Sequence, residues 1–202
     1  MTSAPVIGVL AIQGAVREHV TLLEASGAEA IRIRHSSDIA KVSGIVLPGG
    51  ESTTISKLAV IDGLMEPLRD AASSGVPIYG SCAGMILLAD RILDGRPDQE
   101  TIGGIDMTVR RNAFGRQVDS FEGGIDLLGI GNEPFPGIFI RAPWVEEIGE
   151  SVEVLGRVGS GPAEGRIVAV RDRHLIATSF HPELTGDTRV HQYFVEMVRQ
   201  TA

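Results

Sequence analysis

The sequence is poor in cysteine, since Cys82 is the only one among its 202 residues. A lone cysteine cannot form an internal disulfide, so the fold does not depend on an oxidising compartment and we expect a cytoplasmic protein. It also excludes the cysteine-rich zinc sites, and the five histidines show no metal-ligand spacing such as H-E-x-x-H. The sequence therefore predicts neither a metal site nor a bound cofactor.

Basic residues are also scarce, because 18 Lys and Arg stand against 26 Asp and Glu and the formal net charge is -8. Nucleic-acid binding requires clustered basic side chains that replace the counterions of phosphate groups. No apolar run approaches the roughly 18 residues of a membrane-spanning helix, and the first residues lack the pattern of a secretory signal. We therefore expect no nucleic-acid partner and no membrane association.

Apolar sequence is plentiful, at 43% of the residues, which is enough to close one sizeable core. We predict a single domain that spans residues 1–202. In the first half, short β-branched runs alternate with amphipathic stretches, which indicates a parallel sheet covered by helices. The predicted strands are residues 6–12, 31–34, 44–47 and 76–79. Ligands of such open α/β sheets bind outside the carboxyl ends of the strands.

The second half changes to short strands separated by Gly, Pro and Asp turns, which predicts a partly antiparallel arrangement. Its predicted strands are residues 107–109, 118–121, 138–140, 152–155, 167–170 and 175–180, the last two forming a hairpin across residues 171–173. Residues 128–137 and 159–165 are predicted as surface loops, and an amphipathic helix follows from Val190. The predicted fold class is α/β, with a mixed, mainly parallel sheet in a flavodoxin-like three-layer arrangement and an antiparallel C-terminal part.

Cys82 lies in Gly80-Ser81-Cys82-Ala83-Gly84, a G-x-C-x-G motif between a predicted strand and an apolar helical stretch. This is the cysteine form of a nucleophile elbow, in which a strained strand-to-helix turn requires small neighbours. The turn places the sulfur near a helix N-terminus, which favours the thiolate that attacks carbon. The alternative is a small buried hydrophobic cysteine, but a core cysteine does not need flanking glycines at such a junction.

His181-Pro182-Glu183 follows the last predicted strand. A thiol nucleophile needs a base within hydrogen-bond reach, and the base needs a third group that fixes its tautomer. In an extended chain the side chains of His181 and Glu183 point to the same side, and Pro182 stiffens the pair. A surface His beside a surface Glu is the alternative. The order of Cys82, His181 and Glu183 resembles that of the class I glutamine amidotransferases.

Six segments carry a closer resemblance over nearly the whole chain: IQGAVREH (residues 12–19), LPGGESTT (47–54), the Cys82 motif, RNAFGRQVDSF (111–121), FIRAP (139–143) and SFHPEL (179–184). Together they resemble the glutaminase subunit of the two-component pyridoxal 5′-phosphate synthase. The second and fourth runs look specific to that family. Residues 129–136 and 159–165, and the loop at 96–99, depart from its pattern and are predicted as surface insertions.

The resemblance implies a reaction and a partner. The Cys82 thiolate attacks the carboxamide carbon of L-glutamine, His181 protonates the departing ammonia, and water cleaves the glutamyl thioester. The ammonia then passes to a (β/α)₈-barrel synthase subunit, in a large hetero-oligomer, that builds pyridoxal 5′-phosphate. The Gln13-Gly14 loop resembles the segment that rearranges when the synthase docks.

Pro48-Gly49-Gly50 can turn backbone N–H groups toward a substrate, with the N–H of Gly50 as one oxyanion donor and that of Ala83 as the second. The resemblance implies that Gly50, Glu51 and Ser52 contact glutamine. A phosphate-binding loop is the alternative, but G-x-x-x-x-G-K-[ST] is absent and Glu51 repels anions.

By the same resemblance, Arg111 and the backbone of Ile140 and Arg141 hold the α-amino and carboxylate end of glutamine. The alternative for Arg111 is an ordinary solvated arginine.

Other functions stay open on the sequence alone. The same three residue types would serve a glutaminase that belongs to another amidotransferase, or a free-standing cysteine hydrolase such as a peptidase. A non-enzymatic scaffold that only occupies the synthase is the third possibility, and the presence of all three triad residue types argues against it.

Overall fold

The computed structural model describes residues 3–113, 120–161 and 163–201. The helices are α1 (Val16–Ala25), α2 (Ser36–Ile39), α3 (Ser52–Ile61), α4 (Met65–Ser73), α5 (Ala83–Leu88) and α6 (Arg189–Thr201), with a 3₁₀ turn at Pro182–Leu184. The strands are β1 (Val6–Leu10), β2 (Glu29–Ile33), β3 (Gly44–Leu47), β4 (Ile78–Ser81), β5 (Ala89–Leu93), β6 (Ile105–Arg110), β7 (Ser120–Ile125), β8 (Phe135–Ile140), β9 (Trp144–Ile148), β10 (Glu153–Arg157), β11 (Ile167–Asp172) and β12 (Leu175–Thr178). Of the helices described, none has the length and apolar character needed to cross a membrane.

Neighbouring strands form the parallel part of the sheet, in the order β2-β1-β3-β4-β12. β3 and β4 are buried at every residue, as expected for parallel strands covered by helices on both faces. Leu47 of β3 pairs with Gly80 of β4, and Ser81 pairs with Thr178 of β12, so these strands end at nearly the same level. The loops that follow them therefore leave the sheet at one edge.

Alternating side chains of the parallel strands supply two hydrophobic cores. In β3, Ile45 and Leu47 pack in the core that contains α3, α4 and α5, whereas Val46 packs in the core that contains α1 and α6. The alternation arises because successive side chains of a strand point to opposite faces. This three-layer arrangement confirms the predicted α/β fold class.

The second half is partly antiparallel, as predicted. β12 pairs antiparallel with β11, β11 with β9, and β9 with β6, while β5 runs parallel to β6. β10 pairs with β11, and β7 and β8 form a separate antiparallel pair. The predicted hairpin between β11 and β12 is present, but β11 continues to Asp172, which pairs with Leu175 and leaves residues 173–174 as the turn.

Several predicted boundaries are wrong. β1 ends at Leu10 instead of residue 12, and the chain then turns so that Gln13 and Ala15 contact the loop after β3. β4 runs to Ser81, so Gly80 lies inside the strand. β12 ends at Thr178, before the loop that carries His181. The predicted strand at residues 118–121 lies partly outside the described residues.

Two strands were not predicted, and a third begins earlier than predicted. β5 and β9 were not expected, because Asp90-Arg91 and Glu146-Glu147 interrupt their apolar patterns. The predicted loop at residues 128–137 gives way to β8 at Phe135, whose ring is fully buried in the core beside α6. Tertiary packing therefore overrides the Gly and Pro content of that segment.

Candidate active site

Cys82 forms the turn between β4 and α5 and has an unusual backbone conformation. Its φ is 49° and its ψ is -100°, a region that strains any residue except glycine and occurs mainly where function requires it. Its N–H donates to the carbonyl oxygen of Thr178 over 2.7 Å. This bond ties the turn to the end of β12, which leads to His181.

Gly80 and Gly84 lie where neighbouring backbone atoms leave no room for a side chain. A Cβ atom at Gly80 would lie 2.5 Å from the carbonyl carbon and oxygen of Gly84. A Cβ atom at Gly84 would collide with the carbonyl oxygen of Leu47. The turn therefore packs directly against itself and against the end of β3, which is the close chain approach expected of a nucleophile elbow.

His181 and Glu183 are hydrogen-bonded, with His181 Nδ1 2.7 Å from Glu183 Oε1. The extended conformation expected for this pair is wrong, because Glu183 lies in the 3₁₀ turn that begins at Pro182. The turn brings the carboxylate back to the ring. The backbone N–H of His181 donates to the carbonyl oxygen of Ile138 over 2.8 Å, which anchors the histidine on β8. Because Nδ1 of the ring contacts Glu183, Nε2 is the nitrogen left for the cysteine.

The buried charges of this pair support each other. Burial by itself lowers the pKa of His181, but hydrogen bonds and charges of Cys82 and Glu183 raise it to about 10. Burial by itself raises the pKa of Glu183, but His19 and His181 outweigh it, so the pKa lies below its usual range. An imidazolium beside an ionised carboxylate is therefore the favoured state at neutral pH.

This pKa shift predicts a pH dependence of stability. The pKa of His181 rises on folding from its ordinary 6.5 to about 10. The contribution of protonated His181 to the free energy of unfolding is therefore fully present below pH 6.5 and is lost as the pH rises toward 10. We expect the difference in unfolding free energy between the wild type and His181→Gln to shrink by about 1–3 kcal/mol over that range. Urea unfolding at several pH values measures it, and a constant difference would contradict the shift.

The loop after β3 carries Gly50, one of the two predicted oxyanion donors, and the other, Ala83, is the first residue of α5. The carbonyl oxygen of Gly49 accepts the N–H of Ala15 over 3.1 Å. The N–H of Gly50 points the opposite way, because N–H and C=O of a trans peptide are antiparallel. Among the described residues, neither the N–H of Gly50 nor that of Ala83 donates to a protein acceptor, so both are available to a ligand.

The Gln13-Gly14 loop directly contacts the loop after β3, residues 48–51, which we call the oxyanion loop. Gln13 Oε1 accepts the N–H of Glu51 over 2.9 Å. Gly14 has a φ of 110°, and a Cβ atom there would collide with the carbonyl oxygen of Gly49. A shift of the Gln13-Gly14 loop is therefore transmitted to the peptide that carries the N–H of Gly50.

The carboxylate of Glu51 is already engaged by protein groups. It accepts the N–H groups of Thr53 and Thr54 over 3.1 and 2.7 Å at the start of α3, and it lies 3.1 Å from the guanidinium of Arg111. Burial by itself raises the pKa of Glu51, but the hydrogen bonds from Thr54 and Thr53 lower it to about 2. The Glu51 side chain therefore caps a helix and orients Arg111.

Gln99 is a second partner of Arg111 that the sequence did not reveal. Its Oε1 lies 3.0 Å from Arg111 Nη1 and also accepts the hydroxyl of Thr53 over 3.3 Å. Gln99 belongs to the 96–99 loop, which was predicted as a surface insertion. No local pattern marks this glutamine, since its partners are distant in the chain.

The remaining substrate-binding candidates lie on adjoining segments. Ser52 is 3% exposed, and its Oγ has no hydrogen-bond partner among the described residues. Ile140 ends β8, and Arg141 follows with a φ of 43°. A hydrogen bond of 3.0 Å from the N–H of Ala113 to Ala142 brings the Arg111 segment beside them. Residues 114–119 of the RNAFGRQVDSF run lie outside the described residues.

Comparison with known proteins identifies the family of this chain. A model of the SNO glutamine amidotransferase family matches residues 9–200 of the chain. The chain belongs to this family. A relative from Kineococcus radiotolerans, named pyridoxal 5'-phosphate synthase subunit PdxT, is 65% identical over 203 residues, which cover 99% of this chain and 98% of the relative.

Solved structures agree with this glutamine amidotransferase assignment. One described as a glutamine amidotransferase is 44% identical, covers 96% of this chain and 98% of its own, and superposes with a TM-score of 0.87. PurLQS from Thermotoga maritima shares the fold, with 18% identity, a TM-score of 0.67 and coverage of 98% and 100%. The predicted family, enzyme class and fold are thereby confirmed.

The amidotransferase also contains buried polar residues that sequence reasoning left without a role. His19, Ser81 and His191 are each 0% exposed. His19 and Ser81 occur in segments already singled out, but only their burial distinguishes them. Within the described ranges, no group of three or more His, Cys, Asp or Glu side chains is placed to hold a metal ion.

Proposed function

We propose that this glutamine amidotransferase hydrolyses L-glutamine to L-glutamate and ammonia through a triad of Cys82, His181 and Glu183. The observation that carries the proposal is the 2.7 Å contact between His181 Nδ1 and Glu183 Oε1, with Cys82 on its strained turn close enough to His181 to raise the pKa of the ring. A nucleophile, a base and a group that orients the base are the components that such covalent catalysis requires.

The reaction proceeds in two halves. The Cys82 thiolate attacks the carboxamide carbon, and the N–H groups of Gly50 and Ala83 stabilise the negative oxygen of the tetrahedral intermediate. His181 gives its proton to the leaving nitrogen, the C–N bond breaks, and ammonia departs from a glutamyl thioester. His181 then takes a proton from water, which attacks the thioester and releases glutamate and the thiolate.

The rest of glutamine binds between the oxyanion loop and β8. Arg111 donates to the substrate carboxylate, since Glu51 and Gln99 use only part of the five N–H donors of its guanidinium. The buried, unpartnered hydroxyl of Ser52 and the backbone of Ile140 and Arg141 complete the recognition of the amino acid end. Glu51 contributes mainly through its backbone and through Arg111.

The ammonia passes to a (β/α)₈-barrel synthase subunit that makes pyridoxal 5′-phosphate within a hetero-oligomer. The relative named pyridoxal 5'-phosphate synthase subunit PdxT supports this step by its 65% identity. The contact of Gln13 and Gly14 with the oxyanion loop offers a route by which a docked partner adjusts the catalytic site. The reaction takes place in the cytoplasm, where the thiol of Cys82 stays reduced.

Glutamate release by the full chain, alone and with its cognate barrel synthase, tests this function. We expect the synthase to raise the rate by at least about tenfold, which corresponds to about 1.4 kcal/mol in the activation barrier. No glutamate from the mixture contradicts the glutaminase assignment. Equal rates with and without the synthase indicate an independent hydrolase, and cleavage of peptides without cleavage of glutamine indicates a peptidase.

A further inference from the structure

A buried polar cluster lies next to the carboxylate of Glu183. It consists of His19 on α1, Ser81 at the end of β4 and His191 on α6, all 0% exposed. Polar groups buried in a core cost free energy unless each finds a hydrogen-bond partner. Three such residues from three separate elements, in contact with one another, therefore indicate a role beyond packing.

His19 is the centre of this cluster. Its Nδ1 lies 2.9 Å from His191 Nε2, and its Nε2 lies 3.0 Å from the hydroxyl of Ser81. The same Nε2 is 3.5 Å from Glu183 Oε2, the carboxylate oxygen that His181 does not use. Glu183 thus lies between two imidazole rings, and Oε2 has no hydrogen-bond partner among the described residues, so that its 3.5 Å contact with His19 is electrostatic.

The unpartnered atom of His191 indicates which nitrogen of His19 carries the proton. His191 Nδ1 is buried without a partner, and an unpaired acceptor costs less than an unpaired donor. His191 therefore carries its proton on Nε2 and donates it to His19 Nδ1. His19 must then carry its own proton on Nε2, where it is directed at Ser81 and Glu183.

The pKa shifts of the three ionisable groups are consistent with these tautomers. Burial lowers the pKa of His19, and burial together with His19 lowers that of His191 well below its usual range, so both rings are neutral at neutral pH. Glu183 stays ionised beside them, since its pKa lies below its usual range despite its burial. The Nε2–H of His19 is thus hydrogen-bonded to the hydroxyl of Ser81 and directs its positive end toward the nearby carboxylate.

We propose that His19 is a positioning residue for the glutaminase reaction, in which its Nε2–H is hydrogen-bonded to the hydroxyl of Ser81 and holds Glu183 Oε2 in place through an electrostatic contact of 3.5 Å. Ser81 directly precedes the nucleophile Cys82, so His19 connects the triad acid to the turn that carries the nucleophile. His191 supports His19 from behind and sets its tautomer. This inference rests on the proposed function.

The helix that carries His19 is also linked to the loop after β3. α1 starts at Val16, and the residues just before it, Gln13 to Ala15, contact the oxyanion loop through Glu51 and Gly49. α1 and the segment just before it therefore contact both the loop that carries Gly50 and, through His19, the acid of the triad. The helix holds the two halves of the catalytic site at a set distance from each other.

Steady-state kinetics of His19 variants test this role, with the full chain assembled with its cognate synthase. We expect His19→Leu to lower kcat for glutamate release about 10- to 100-fold, because it removes both the hydrogen bond to Ser81 and the contact with the charged carboxylate, with KM for glutamine changed less than about threefold. His19→Gln keeps an N–H donor and should recover most of the lost kcat. The matched control is His174→Gln, because the ring of His174, within the described part of the chain, is hydrogen-bonded to the carbonyl oxygen of Ala72 and to no residue of the candidate site, so kcat should stay unchanged.

The outcomes separate this inference from the proposed function. If the wild type releases no glutamate, or Cys82→Ala still does, the proposed function fails whatever His19 does. If those two proteins behave as expected, a kcat for His19→Leu within about twofold of the wild type overturns the positioning role. Equal losses in His19→Leu and His19→Gln also overturn it, since the donor would then be irrelevant.

A measurement on the wild type does not depend on whether the variants fold. Nitrogen-15 NMR of the histidine-labelled chain reports which ring nitrogen of each histidine is protonated. We expect His19 to carry its proton on Nε2 at neutral pH. An unprotonated Nε2 overturns the proposal, because His19 could then donate to neither Glu183 nor Ser81.

Discussion

Replacing Cys82 with alanine is expected to lower the rate of glutamate release by at least about 1,000-fold. The remaining site can bind glutamine and polarise its carboxamide, but it has no atom that forms the thioester. The rate is measured on the chain assembled with its synthase, at saturating glutamine, by an enzyme-coupled glutamate assay.

The same variant should keep its fold and its affinity for glutamine. Alanine has the same Cβ atom as cysteine, so the backbone at φ 49° experiences no new contact. Circular dichroism and glutamine-dependent thermal stabilisation check these two points. Undiminished glutamate release by a correctly folded Cys82→Ala protein would refute the covalent mechanism.

Replacing Gly84 with alanine is expected to destabilise the chain by about 2–4 kcal/mol and to lower activity about 100-fold. The added methyl group would collide with the carbonyl oxygen of Leu47, which is backbone and cannot rotate away. Either β3 or the turn must shift, and the turn carries the nucleophile. Urea unfolding measures the loss of stability, and the assay above measures the loss of rate.

Gly123→Ala is the matched control for this substitution. Gly123 lies in β7, and its nearest neighbour for an added Cβ atom is the ring of Phe121 at 3.7 Å, an ordinary contact. This variant should unfold within about 1 kcal/mol of the wild type. If Gly84→Ala and Gly123→Ala behave alike, close packing of the elbow against β3 is not what requires glycine at position 84.

Prediction from sequence succeeded where local pattern and packing agree. The bounds of β3 were predicted correctly, because a short, continuously apolar run ends at Pro48 and is buried on both faces. The turn at Cys82 was recognised from its flanking glycines, since backbone crowding demands them at those positions. β8 was partly missed, because the burial of Phe135 depends on elements far away in the chain.

The same contrast holds within the candidate site. His181 and Glu183 could be paired from sequence because they are two residues apart, although the 3₁₀ turn that joins them was not foreseen. Gln99 could not be linked to Arg111, and neither His19 nor His191 could be linked to Glu183. The two histidines of the cluster are 172 residues apart in the chain, and no local periodicity encodes such a contact.

The sequence by itself determined the residue types that perform the chemistry, the turn that carries the nucleophile and the general class of the fold. Each of these depends on steric or hydrogen-bonding requirements among residues close together in the chain. Only the tertiary structure decided that β4 and β12 are neighbours, so that Cys82 and His181 emerge at one edge of the sheet, and that α1 and α6 bring two histidines behind the acid. Strand order and helix packing result from the burial of all apolar faces at once, which no single segment specifies.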